Sequence, residues 1–163
     1  MMKKVYLCLL GIVIIILENS VTNYISIFGS TIDFILIFLT IISLYMDELE
    51  SSIIGAIIGL IKDITVGGIF GINALIYFLI CYIVSYSRKK IYKESKITIF
   101  TLILATSIFS SLINIISSMI IYSSFTISKL IIRGIVIIPI LNSVMALILY
   151  RVFDKSILKL KED

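Results

Sequence analysis

Lys62 and Asp63 stand side by side at the end of an apolar stretch, followed at short range by Gly67-Gly68 and by Gly71-Ile72-Asn73. A lysine, a carboxylate and an amide could move a proton, hold an ion or pair with one another. Each is costly in hydrocarbon unless it faces protein, water or an interface, so their placement needs a cause. Three arrangements are open. Lys62 and Asp63 could be helix-end residues reaching an interface. Asp63 could pair with Lys62 or Arg133 and fix the turn that follows. The turn could also hold a ligand. For Asn73 the simplest role is a helix-capping or interhelical amide.

Nothing in the sequence assembles these groups into a catalytic set. A reaction needs a nucleophile with an activating base, a paired acid and base, or a metal set. The chain has no histidine, which removes the commonest general base and metal ligand. Its two cysteines, Cys8 and Cys81, lie in separate apolar blocks with no CxxC, so neither a disulfide nor a zinc site is expected. Asp33 and Asp63 could face each other, but each lies close to the outer end of its own segment. No catalytic residue, cofactor or metal is assigned, and the chain is read as non-enzymatic.

The elements that must position these residues are apolar. Of 163 residues 60% are hydrophobic and 15% charged, outside the range of soluble domains. The mean hydropathy of +1.20 indicates a bilayer. A net charge of +4 would suggest nucleic acid in a soluble protein. Here the basic residues cluster between apolar blocks, which is a topology signal, and no nucleic-acid partner is expected. The start, MMKKVYLCLLGIVIIIL, has the basic and apolar parts of a signal peptide. Glu18-Asn19-Ser20 supplies no small-x-small cleavage site, so this segment is read as a retained first helix.

Apolar periodicity predicts an all-α, polytopic integral membrane protein with six transmembrane helices in one domain over 1-163, with spans near 5-22, 32-46, 49-65, 69-87, 97-123 and 129-153. Within segment one, Cys8, Gly11, Ile15 and Glu18 share a stripe, which turns Glu18 toward other helices or the outer interface. In segment two Asp33, Ile37, Thr40, Leu44 and Asp47 do the same. Segment three carries a seam of Ser52, Gly55, Gly59 and Asp63. Gly55 and Gly59 form GxxxG, which allows close helix approach where no hydrophobic effect acts between helices. Segment four has Asn73, Tyr77 and Cys81 along one side. Segment five has Ser107, Ser110, Asn114 and Ser117 at helical spacing, suited to internal packing. Segment six contains Arg133, Asn142 and the chain's single proline, Pro139, tolerable in a membrane helix if neighbours satisfy the freed carbonyl.

With the N-terminus inside, the inner side collects Lys3, Lys4, Arg88, Lys89, Lys90, Lys93, Lys96, Arg151, Lys155, Lys159 and Lys161, and the outer side Lys62, Lys129 and Arg133. This positive-inside bias puts both termini in the cytoplasm. The basic loop from Arg88 to Lys96 is suited to holding topology and touching anionic membrane lipid, with a cytoplasmic protein partner as a second use.

The run Gly59-Leu60-Ile61-Lys62-Asp63, then Gly67-Gly68, then Gly71-Ile72-Asn73-Ala74-Leu75, resembles the central motif of the rod shape-determining protein MreD family. Ile25-Ser26-Ile27-Phe28-Gly29 with Asp33 is similar to that family's first outer loop, and Pro139, Asn142 and Tyr150 resemble its last helix. The chain departs at Ile32, where a proline commonly precedes the aspartate, and at Lys62, where the family often has glutamine. The resemblance implies a scaffold subunit of the cell-elongation (rod shape, peptidoglycan synthesis) machinery in the bacterial cytoplasmic membrane. It would work with MreC, the actin-like MreB, RodA and a class B penicillin-binding protein, with a second copy of the chain as a further candidate partner. The family is also similar in fold to the six-helix substrate-binding (S) subunits of energy-coupling-factor vitamin transporters, so the alternative is a small-molecule-binding membrane subunit. A vitamin binder should enclose a pocket near its outer face with convergent polar groups. Few outer polar groups and no tryptophan lean toward the scaffold. The residues singled out for partner binding or structure are Asp63, Asn73, Gly59, Gly67, Gly68, Gly71, Asp33 and Asn142.

Overall fold

The computed structural model describes residues 2-22, 30-66, 69-88, 95-121 and 131-161, with side chains omitted at 2-5, 21-22, 121 and 151-161. Among the described residues six α-helices follow one another: α1 Met2–Thr22, α2 Phe34–Ser43, α3 Glu48–Val66, α4 Ile72–Ser87, α5 Lys96–Ile121 and α6 Ile138–Lys161. The last is entered through a π-helical turn, Arg133–Ile137, in which the Ile138 N–H reaches back to the Arg133 carbonyl. The widened turn lies just before Pro139, whose ring would crowd the carbonyl four residues back in a regular helix.

Successive helices run in opposite directions. At one end the last turn of α1 meets the first of α2 through Ile35 N–H to Glu18. At the other end Ser85 of α4 donates to the Met46 carbonyl, and Arg88 pairs with Asp47 at 2.5 Å. The Lys89 to Lys93 part of the basic loop, Ile25 to Gly29, and Lys129 lie outside the described residues.

The interior is unusual in what it hides. Glu18, Thr40, Ser43, Ser51, Ser52, Lys62, Asp63, Ser107 and Asn142 are buried, while Leu9, Ile16, Ile53, Ile64, Phe70, Leu75, Ile120 and Ile148 stand outward. Polar groups inside and large apolar groups outside is the arrangement of a bundle bathed in hydrocarbon. The stretches Lys96–Ile120 and Arg133–Tyr150 are long and apolar enough to cross a membrane. The ten-residue α2 spans only about 15 Å, half of a hydrocarbon core. Asp33 starts it by accepting from the Leu36 N–H, which is why it begins later than apolarity alone suggests. Every residue from Ile35 to Ser43 is buried, so the stripe read from its sequence does not divide an inner from an outer face.

Two packing units surround α2. One apolar cluster joins α1 to α4 through Leu7, Ile15, Leu36, Ile58, Ile76 and Tyr77. A second ties α2 to the α5/α6 pair through Ile37, Ile41, Ile99, Ile103, Ala146 and Tyr150. The most extensively packed pair is α3 with α4. There the seam glycines meet backbone: a Cβ on Gly59 would lie 2.5 Å from the Ala74 Cα, and one on Gly55 would lie 2.8 Å from the Tyr77 carbonyl oxygen. Ile58, next in sequence, is fully buried and fills the hollow left by Gly11.

Because backbone cannot step aside as a side chain can, Gly59→Ala should lower the thermal stability of the detergent-solubilised protein by about 1–3 kcal/mol. Ile57→Leu, on the exposed face, should stay within about 0.5 kcal/mol. Equal melting curves for the two variants would show that α3 and α4 do not pack as described.

Candidate functional site

At the end of the bundle where α1, α3 and α5 finish and α2, α4 and α6 begin, four helices send polar groups to one point. Lys62 is 8% exposed, and its ammonium lies 2.9 Å from Glu18 Oε1, 3.0 Å from Asp33 Oδ1 and 2.6 Å from Tyr77 Oη. An ammonium has three N–H donors, and here each has a partner. The Tyr77 hydroxyl donates onward to the Asp33 carboxylate at 3.1 Å, and the Lys62 nitrogen also stands 5.3 Å from the centre of the Tyr77 ring. Backbone N–H groups complete the two acids, Ile35 to Glu18 at 3.1 Å and Leu36 to Asp33 at 3.0 Å. The cluster ties α1, α2, α3 and α4 together through charge-assisted bonds.

Lys62 therefore does not reach an interface, and it does not pair with Asp63. The sequence reading of that pair is corrected on both points. Consecutive residues on a helix point about 100° apart, so one turns to the bundle centre and the other to α4. Asp63 meets neither Lys62 nor Arg133. It accepts from the backbone N–H groups of Gly71 at 3.0 Å, Asn73 at 3.2 Å and Ala74 at 3.2 Å, and from the Asn73 side-chain amide at 2.8 Å. These are the donors that the start of α4 leaves unpaired, and its own N-cap residue, Gly71, has no side chain to serve them. Gly71 sits at φ +93°, a conformation open to glycine and strained for other residues. Asp63 is thus a cap that α4 borrows from the neighbouring helix α3, and the Asn73 side-chain amide, on α4 itself, adds a fourth donor to it. Gly59 lies one turn earlier, where α3 touches the same start of α4. Gly67 and Gly68 lie outside the described residues.

Asp33 and Asp63 do not face each other. Asp33 joins instead to α6, since its backbone N–H donates to Asn142 Oδ1 at 3.0 Å and the Asn142 amide donates to Ser107 at 3.0 Å. Asn142 is fully buried, and its single side chain bridges α2, α5 and α6. Thr40 and Thr106 make a further contact between α2 and α5 at 3.4 Å.

Beyond Asn142 the two packing units part, leaving a cleft of about 560 Å³. Glu18, Ser30, Asp33 and Lys62 line one wall, and Ser111, Asn114, Arg133 and Asn142 the other. The expectation of few polar groups at this end is thereby corrected: they are distant in sequence but the fold gathers them. The polar stripe of α5 is only partly internal packing, since its Ser107, Ser110 and Asn114 border this cleft, as do Ser111 and Ser118 beside them. Tyr77 and Ser30 escaped the sequence reading as site residues. Tyr77 had one signal, its place on the polar side of segment four, whereas Ser30 had none. Among the described residues no group of three or more His, Cys, Asp or Glu side chains is placed to hold a metal.

Comparison with known families matches residues 2–159 to the rod shape-determining protein MreD. The chain belongs to the MreD family. No match was found among curated proteins or among solved structures. MreD proteins are a membrane family of shape-determining structural proteins, which accords with the outward apolar residues described above. The central motif of the resemblance is the α3/α4 junction. Lys62 is here the cation shared by the buried Glu18 and the partly buried Asp33.

Removing that cation should leave the buried Glu18 and the partly buried Asp33 without their counter-charge. Lys62→Met should destabilise the protein by about 3–5 kcal/mol, and adding Glu18→Gln to Lys62→Met should recover part of the loss. Thermal unfolding in detergent would measure both. A double variant that is additive with the two single variants would mean that the three charges are not one coupled unit.

Proposed function

We propose that this protein is a non-enzymatic membrane scaffold subunit of the cell-elongation machinery, acting with MreC and MreB and, in the wider complex, with RodA and a class B penicillin-binding protein. The observation that carries the reading is family membership over residues 2–159, nearly the whole chain. The interior chemistry supports it. Lys62, Glu18 and Asp63 spend their hydrogen bonds on holding helices together, as a rigid scaffold requires.

In this reading the chain crosses the bacterial plasma membrane six times with both termini in the cytoplasm, following the distribution of Lys and Arg. Partner contact occurs at the α3/α4 connection. Asp63 and Asn73 act there indirectly, by fixing the turn. The surface that the turn presents is apolar: Ile64, Val66 and Phe70 are 70%, 56% and 68% exposed. A transmembrane or juxtamembrane segment of MreC fits such a surface, since close packing drives association within a bilayer.

The second reading, a small-molecule-binding subunit similar to those of energy-coupling-factor transporters, is favoured by one observation. The polar cleft of about 560 Å³ lies within the size range of ligand pockets and opens at the end assigned to the outside.

Phe70→Ala should preserve protein level and melting temperature, reduce co-purification of MreC several-fold and round the cells. Unchanged recovery of MreC together with normal rods would overturn the proposed contact. For topology, a single cysteine at Ser95, in a background lacking Cys8 and Cys81, should be protected in intact cells and react with an impermeant maleimide only after permeabilisation. Labelling in intact cells would refute the six-span arrangement.

A further inference from the structure

The cleft beside the Lys62 cluster holds unspent hydrogen-bonding capacity of both signs. Ser30 lines it, is only 5% exposed, and its hydroxyl has no hydrogen-bond partner among the described residues. A buried hydroxyl without a partner is uncommon in a folded protein and calls for a reason. On the opposite wall Ser111 is 7% exposed and makes no hydrogen bond among the described residues. It lies against the backbone of Gly134, where a Cβ would be 3.4 Å from its own, and so is close to Arg133 in the π-helical turn. Arg133 borders the cleft with no ion-pair partner among the described residues, leaving its five N–H donors available. A guanidinium with two hydroxyls is a donor set suited to an oxyanion.

The acceptor side is Asp33. Its Oδ1 takes Lys62, Leu36 and Tyr77, whereas its Oδ2 has Tyr77 alone, and its side chain is 22% exposed toward the cleft. The ionisable groups lining the cleft are Glu18, Asp33, Lys62 and Arg133, two of each sign, so the formal charge is zero. A simple anion would gain at Arg133 and lose at the two carboxylates. A ligand carrying both signs gains at both ends.

We infer that this cleft binds a zwitterionic group, with Arg133, Ser30 and Ser111 holding its oxyanion and Asp33 accepting from its ammonium. Two sources share that chemistry, a zwitterionic lipid headgroup entering from the bilayer and a water-soluble zwitterion entering from the outer end. The inference does not rest on the scaffold reading and would hold for either proposed function.

The test uses the full-length protein, purified in detergent and stripped of lipid, and follows ligand retention by native mass spectrometry together with melting temperature. The probes are dioleoyl phosphatidylethanolamine, dioleoyl phosphatidylglycerol, which keeps the phosphodiester but lacks the ammonium, and soluble O-phosphoethanolamine. The ethanolamine lipid should be retained and raise the melting temperature, and the glycerol lipid should bind about tenfold more weakly. Response to the lipid but not to O-phosphoethanolamine identifies a headgroup site, and response to both identifies a site that needs no acyl chains. Arg133→Gln, at an exposed position, should leave the melting temperature of the ligand-free protein unchanged and weaken retention about tenfold, as loss of a charge-assisted contact implies. Ser111→Ala should weaken it less. The inference is overturned by equal retention of the two lipids, by wild-type retention in Arg133→Gln, or by no response to any of the three probes.

Discussion

The structure depends on how one buried ammonium is satisfied. A lysine at the centre of a bundle in hydrocarbon cannot be left unpaired, and Lys62 has three donors to place. They go to Glu18 on α1, Asp33 at the start of α2, and Tyr77 on α4. The geometry can be met only if the four helices stand in one relative position. It also explains why two carboxylates can lie within reach of each other in a poorly solvating interior, each completed by a backbone N–H from the first turn of α2.

Asp63, one residue on, does separate work. The short connection to α4 leaves the first N–H groups of that helix without a cap of their own, because a positive φ at the turn selects glycine at Gly71. The Asp63 carboxylate fills the gap from the neighbouring helix, and it can do so because Gly59 and Gly55 let the two backbones nearly touch. Close packing and capping therefore require each other. A bulkier residue at Gly59 would move the carboxylate away from the amides it serves, and loss of the carboxylate would leave the reason for the close approach unmet.

The remaining two helices are held differently. Apolar packing by Ile37, Ile41, Ile99, Ile103 and Ala146 secures α5 and α6 to α2 toward one end, and Asn142 secures them midway through bonds to Asp33 and Ser107. Past Asn142 the walls separate into the cleft. A family whose established role is in cell shape thus encloses, in this member, a polar cavity beside its most constrained charges. The outward surface is apolar and can meet lipid or a partner helix without any change in the interior.

The sequence by itself determined the all-helical class, because long apolar blocks leave hydrocarbon as the solvent and helices as the means of pairing every backbone group within its own segment. It also determined the family, since the motif from Gly59 to Leu75 is local, and it marked the GxxxG seam and the α3/α4 junction, whose meaning depends on neighbours a few residues apart. Only the tertiary structure decided which charge meets which. Lys62 and Asp63 are adjacent in the chain, yet their partners lie on α1, α2 and α4 for the one and on α4 alone for the other, because direction around a helix rather than sequence distance selects them. Asn142 and Ser107, Ser30 and Arg133 come together from separate segments. Helical spacing reports which residues share a face; it carries no information about the face opposite, and the cleft exists only between two such faces.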